Sequence, residues 1–514
     1  MKNLWDLNEA KKYSDDLLAL RVYSSCLLGA ESELVLHGGG NTSIKTAETN
    51  IFGEREEIIY VKGSGWDLAT IETAGFAPVK LELLKNMALL NDLNDSDMVK
   101  YQRAAMTEPN APNPSVEAVL HAIIPFKFVD HTHADAVVTI TNTSNGEEKI
   151  REIYGDNMLI VPYVMPGFIL AKKIYEMTKK LNWKECSGMI LMNHGVFTFD
   201  DDAQKCYQKM IDIVTSAEEY IESQNANSAA VSESIEEDLI ALSGIRKEIM
   251  SLSKSPQIAR LNCNPEALGF AQLPNVESIA TRGPLTPDHI IRTKQIPVII
   301  GDDPGKEIAK FSDAYKEYFN RNKKSDLIPL NSAPRWAVWK GQGTISFGRN
   351  LNGANVIADL VEHTIKSIQI AEALGGWKAL PEKDLFEIEY WELEQAKLAD
   401  KKSSKEFEGN IAIVTGAANG IGKATTEALL DKGAVVAALD IDPFVKDLFD
   451  DERALGIECD MTDERAVQKS VEAVVRKFGG IDLVVSNAGI FPSSEYITEI
   501  TTESWNRSLD LNLT

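Results

Sequence analysis

Apolar positions recur at helical spacing near the start of the chain, where Leu17, Leu20, Tyr23 and Leu27 share one stripe and predict a helix over 8–29. The run EEIIYV reads as a strand that ends in the small-residue loop Lys62-Gly-Ser-Gly65. Asn113 as cap and Pro114 as first helical residue predict a helix carrying Ser115 and Glu117 in its first turn. The run VDHTHADAVVTIT is rich in Val, Thr and Ile and predicts a strand. Residues two apart on a strand share a face, so His131 and His133 point the same way. In MILMNHGVFTF, two apolar runs flank a turn holding His194. A helix follows Asp200 to Asp202, with Ala203, Tyr207, Met210, Ile211 and Val214 on its buried side. Ser, Asn and Ala over 224–234 read as a surface loop.

Beyond residue 235 the pattern weakens. GQGTISFGRN and the long helical stretch after it echo NHGVFTFDDD and its helix, with Gln342 standing where His194 would be. This reads as a degenerate second half-module without its metal ligand, or as chance similarity. Arg282, His289 and Arg292 are candidates for an anion contact or for plain surface. Residues 381–408 are dense in charge and read as an arm or helix leading to a linker over 400–408. At Ile411 the rhythm changes to strand IAIV, glycine turn TGAANGIG, helix KATTEALLDKG and strand AVVAALD ending in Asp440. A glycine turn between strand and helix seats a pyrophosphate on helix amides, and an acid ending the second strand binds ribose hydroxyls.

Composition sets outer limits. A chain of 514 residues has room for two to four domains, and its 44% hydrophobic and 25% charged residues are those of an ordinary globular protein. The formal charge of −24 argues against nucleic acid or an anionic membrane as a main partner. The five Cys include no CxxC pair, the start has no apolar signal core, and no stretch reaches transmembrane length. The expectation is a cytoplasmic protein.

There are only seven His, so two at H-x-H and a third in an Asn-His-Gly turn gain weight as ligands of one divalent metal. Either histidine of an isolated H-x-H is more often an ordinary core or surface residue. Three imidazoles beside a carboxylate favour zinc, whose catalytic sites take three protein ligands and leave one position open. Glu117 either caps its own helix or moves a proton near the metal, and His121, one turn further on, reads as structural. HGGGNTSIK alone is a turn. Together with Lys62-Gly-Ser-Gly65 and Ser115 it can converge on an anion.

The order GGGNTS, KGSG, PSVE with HxH, then NHG resembles the class II aldolase/adducin family of sugar-phosphate aldolases, epimerases and dehydratases. The resemblance implies an α/β/α zinc domain, with Zn2+ on His131, His133 and His194 and acid–base work by Glu117. It also implies substrate phosphate held by Asn41, Thr42, Ser64, Gly65 and Ser115. Val116 departs from the Ser-Ser-Glu of many aldolases, removing one phosphate donor. Retro-aldol cleavage leaves an enediolate, which a Lewis-acid metal stabilises.

The later spacing, Gly416-xxx-Gly420-x-Gly422, resembles the short-chain dehydrogenase/reductase family and implies a doubly wound NAD-binding Rossmann domain. Cofactor contacts then fall on Gly416, Asn419, Gly420, Ile421, Gly422, Asp440, Asp460, Met461, Asn487, Ala488 and Gly489, with Asn512 at the active-site asparagine position. Asp440 with no nearby Arg favours NAD over NADP. The family's catalytic Ser and Tyr-xxx-Lys lie beyond Thr514, so the expectation is an incomplete domain without hydride transfer, whether a fragment or a cofactor-sensing half-domain.

Together the two halves resemble the bifunctional rhamnulose-1-phosphate aldolase/alcohol dehydrogenase family. That implies three parts: a zinc domain over 8–230, an aldolase-associated extension and linker over 231–400, and the partial Rossmann domain over 409–514. The expected reaction cleaves a ketose 1-phosphate to dihydroxyacetone phosphate and an aldehyde, within a homo-oligomer, tetramer included. The alternatives are an epimerase or dehydratase of the same fold, or a non-catalytic adducin-like assembly module.

Overall fold

The computed structural model describes residues 1–226, 230–233, 235–324, 326–398 and 405–513. Packing divides the chain into two units. One holds Met1–Ala229, Ser278–Ile296 and His363–Ala399, and the other Ala230–Glu277, Pro297–Glu362 and Asp400–Thr514. Two stretches of the middle of the sequence therefore pack with the first unit. No helix among the described residues is long and apolar enough to cross a membrane.

The first unit is built on strands β1 (Asn41–Thr49), β2 (Arg55–Lys62), β3 (Phe76–Lys80), β4 (Phe128–Thr132), β5 (Met158–Val161), β6 (Gly188–Leu191) and β7 (Gly195–Asp200), in sheet order β3-β2-β1-β4-β7-β6-β5. Side chains alternate across a strand, and this sheet is buried on both faces. From β6 and β7, Met189, Leu191, Phe197 and Phe199 enter one core with Leu120 and Ile174. Ile190 and Val196 enter the other with Val137, Tyr207, Met210 and Val214.

Four local expectations change. The first helix is two, Leu7–Lys11 and Leu17–Gly29, because Asp16 Oδ1 accepts from the amides of Leu18 and Ala19 at 3.0 and 2.9 Å and opens a new helix. Glu117 is not in a first turn begun at Pro114. Pro114 bridges to Gly63, and the helix is Ala118–Ile123, with Glu117 at its cap position making no side-chain cap bond. The strand of His131 ends at Thr132, and Asp135–Thr141 is a helix, since burial of Val137, Val138 and Ile140 overrides their β preference. His133 thus sits just past the strand. Part of the 224–234 loop and most of the 400–408 linker lie outside the described residues.

The second unit contains β8 (Ile258–Asn262), β9 (Val298–Ile300), β10 (Trp336–Trp339) and β11 (Gly343–Gly348) in the order β8-β11-β10-β9. Its pairings are antiparallel, antiparallel and parallel. The half-sheet β4-β7-β6-β5 has the same sequence of senses. Trp339 faces Gly343 as Leu191 faces Gly195, which sets Gln342 in the place of His194. Leu261 faces Ile345 as His131 faces Phe197, so Leu261 and Cys263 occupy the places of His131 and His133. The half-module echo is real, and all three imidazoles are gone from it. The same unit holds a parallel sheet of β12 (Ile411–Thr415), β13 (Val435–Asp440), β14 (Ala454–Glu458) and β15 (Leu483–Val485), ordered β14-β13-β12-β15.

Candidate functional site

Two distant stretches of the chain bring the candidate ligands together. Asn193 takes φ 59°, a left-handed conformation Asn tolerates, and turns the β6–β7 connection so that His194 faces β4. Its amide donates to Thr141 Oγ1 at 3.1 Å and its side chain bonds Asn142, tying the turn to the helix after His133. His131, His133 and His194 are all buried, and one ligand nitrogen from each lies within 4.8 Å of the others. The Nε2 atoms of His131 and His133 are 3.1 Å apart, near the ~3.3 Å that Zn–N bonds of about 2.05 Å give in a tetrahedron. Phe197 stacks on His131 at 4.1 Å between ring centroids, fixing that ring's plane. Burial holds His131 down at about 4 against the opposing charge of Glu117, and burial likewise lowers His133. Both imidazoles are neutral near pH 7, as metal ligands must be.

Glu117 faces the same point. Its Oε2 lies 3.5 Å from His131 Nε2 and its Oε1 4.0 Å from His194 Nε2. Oε1 is buried with no hydrogen-bond partner among the described residues, as is His194 Nδ1. A buried carboxylate oxygen left unpaired beside this cluster of imidazoles fits a cation among them. Asn41 Nδ2 donates to Glu117 Oε2 at 2.6 Å, and the Asn41 carbonyl oxygen is bonded by His121, whose Nδ1 meets Ser43 Oγ at 2.8 Å. His121 is structural, as its sequence position suggested.

The expected phosphate residues divide. Asn41, Ser64, Gly65 and Ser115 line one cleft with Glu117, His133 and His194. Thr42 does not. It sits on the other face of β1, fully buried, with Oγ1 2.8 Å from Ser25 Oγ. There Ser25 accepts from Arg21 Nε, and Arg21 pairs with Asp130 at 2.5 Å, both 1% exposed. Thr42 therefore belongs to a polar network behind the sheet. Arg282 is also not an anion contact, since it pairs with Glu372 and donates to Trp377 O.

Three charged lining residues had no individual role in the sequence reading. Lys62, buried at the end of β2, donates to the carbonyls of Gly38 and Gly40 at 2.7 and 2.8 Å and shapes the glycine loop from beneath. Gly40 has φ +56°, and a Cβ there would lie 2.6 Å from His131 O. Asp288 and Glu394 come from later stretches of the chain. Lys62 was legible as an inward-pointing cation beside the glycine motif. Nothing local marks the other two.

In the second unit the glycine turn meets the end of β13. Asp440 accepts from the amides of Ala418 at 2.8 Å and Asp442 at 3.0 Å, so its carboxylate braces the turn. Gly416 and Gly420 take positive φ, and a Cβ on Gly422 would lie 2.0 Å from Gly416 O. Asn419 precedes the helix Gly420–Asp431, and Ile421 is exposed in its first turn. Asn487 Nδ2 donates to Thr415 O and Gly416 O, and the amides of Asn487 and Ala488 both donate to Thr415 Oγ1. Asp460 is closed on Thr462, and Met461 packs on the sheet's core. Asn512 bonds both backbone groups of Ile490, and a Cβ on Gly489 would lie 3.0 Å from Asn512 Oδ1. In this structure Asn512 anchors the loop after β15.

Comparison with known proteins gives three consecutive matches, the middle one spanning stretches of both units. Residues 21–221 match the family described as class II aldolase and adducin N-terminal domain, 236–398 match aldolase class II, second domain, and 410–514 match short chain dehydrogenase. A Bacillus subtilis (strain 168) protein described as "Uncharacterized oxidoreductase YuxG" is 32% identical over 539 residues, covering 99% of this chain and 78% of its own. The NAD(+)-dependent 15-hydroxyprostaglandin dehydrogenase of Rattus norvegicus is 39% identical over 113 residues, 20% of this chain and 39% of its own. A solved N-terminal class II aldolase domain from Thermoplasma acidophilum shares 39% identity and covers 43% of this chain and 99% of its own, with a TM-score of 0.40.

Proposed function

Because this chain belongs to the family in which class II aldolase domains are fused to a short-chain dehydrogenase domain, we propose that its first unit is a zinc-dependent aldolase cleaving a ketose 1-phosphate of the rhamnulose-1-phosphate kind. The products are dihydroxyacetone phosphate and an aldehyde, and the dehydrogenase domain would bind NAD. The observation that carries the aldolase reading is the convergence of three buried imidazoles and an unpaired Glu117 Oε1 on one point.

His131, His133 and His194 would hold the zinc, which when bound would supply Lewis acidity to a substrate carbonyl. Glu117 moves the proton, through Oε1, at the carbon where the C–C bond breaks, while Asn41 fixes Oε2. Ser64, Gly65 and Ser115, which line the same cleft, would bind the phosphate. On the nucleotide side, the amides of the 416–422 turn would hold the pyrophosphate of NAD, and Asp440, which now accepts from Ala418, would hold the adenosine ribose hydroxyls.

Incubation with rhamnulose 1-phosphate tests this. Release of dihydroxyacetone phosphate that stops on chelation and returns with zinc supports it. An isomerised sugar, or no conversion by a zinc-loaded chain, contradicts it.

A further inference from the structure

The three candidate ligands differ in what stands behind them. His131 Nδ1 faces the carbonyl of Val196 at 3.0 Å. His194 Nδ1 is buried with no hydrogen-bond partner among the described residues. His133 Nδ1 faces a carboxylate, Asp288 Oδ2, at 3.6 Å. A ligand that binds through Nε2 carries its proton on Nδ1, and an acceptor there fixes the tautomer and strengthens the donor.

Asp288 is not delivered by the ligand's own domain. It lies in the short helix Pro287–His289, within the stretch matched to the second aldolase domain. The strap that carries it is pinned by Asn142, at the end of the helix following His133. Asn142 Nδ2 donates to Leu285 O at 2.6 Å, and Asn142 O accepts from Lys378 N at 2.7 Å. The same residue's Oδ1 accepts from Asn193, next to His194. One asparagine therefore couples the ligand turn to the strap, and the strap reaches back to a second ligand.

We infer that Asp288 is a positioning residue of the metal centre, so that the second aldolase domain completes in cis a site whose ligands all come from the first. The inference rests on the zinc reading above. The degenerate module keeps no imidazole at its own equivalent positions, yet the same stretch of sequence contributes this carboxylate to the intact one.

The test measures the zinc dissociation constant of the full chain by competition with a chromophoric chelator, for the parent, Asp288→Asn and Asp288→Ala. Thermal unfolding of each chelated apoprotein reports folding separately. The expected result is a roughly 10–100-fold weaker zinc affinity in Asp288→Ala, a smaller loss in the isosteric Asp288→Asn, and an unchanged apoprotein midpoint. Parent-like affinity in both variants overturns the inference. So does a loss of affinity that only follows a lowered apoprotein midpoint in both. A parent chain that binds no zinc sinks the zinc reading itself and is a distinguishable outcome.

Discussion

Asn41 Nδ2 reaches Glu117 Oε2 at 2.6 Å, although 76 residues separate them in the chain. That bond leaves Oε1 as the oxygen with no hydrogen-bond partner among the described residues, and it divides the carboxylate into a held atom and a working one. Hydrogen bonds to charged groups contribute about 1.5–3 kcal/mol. Asn41→Ala should therefore lower kcat by roughly 10–100-fold with zinc content unchanged, measured by dihydroxyacetone phosphate release alongside metal analysis. Parent-like kcat would show that Glu117 needs no such brace.

The face of β1 opposite Asn41 makes a contrasting prediction. Thr42, Ser25, Arg21 and Asp130 form a buried network, with the ion pair 1% exposed on each side. Removing one partner of such a pair costs about 3–5 kcal/mol because the other charge stays buried. Urea unfolding of Asp130→Asn should show a loss of that order. Thr42→Val should cost about 1 kcal/mol and leave KM for the phosphorylated substrate unchanged. A raised KM in Thr42→Val would restore Thr42 as a phosphate contact.

Acid should weaken the fold through His289. Burial holds its pKa at about 4, with Asp288 opposing, against the ordinary 6.5. The unfolded chain takes the proton first as pH falls, so the stability present above 6.5 is lost on the way to about 4. At pH 5 the share from this one group is about 2 kcal/mol. Chemical denaturation at pH 7.5 and pH 5 should show a smaller drop for His289→Gln than for the parent. An identical drop would mean that His289 titrates normally in the fold.

At the nucleotide turn, Gly422→Ala sets a methyl 2.0 Å from the carbonyl oxygen of Gly416. The turn must open, and NADH binding followed by fluorescence titration should fall at least tenfold while the first unit keeps its zinc. Unchanged NADH affinity would mean that this turn does not seat the cofactor.

The clustering of the three His with Glu117 was legible in the sequence because residue type carries metal and acid–base chemistry, and few His compete for the role. The glycine turn and Asp440 were legible for the same reason, each tied to a backbone requirement. Secondary structure around them was less so. The β-branched run after His133 is a helix because Val137 and Ile140 have a core to fill, and composition does not report that. Thr42 was misplaced because a motif read as a string ignores strand alternation. Asp288 and Glu394 were invisible, since only the folded chain brings 278–296 and 363–399 to the first domain.

Zinc stoichiometry at equilibrium, by dialysis of the purified chain against excess zinc and then metal-free buffer, tests the central claim most directly. One zinc retained per chain, and none by a folded His194→Ala variant, is the predicted result. No zinc retained, or equal retention by that variant, would contradict a centre built from His131, His133 and His194.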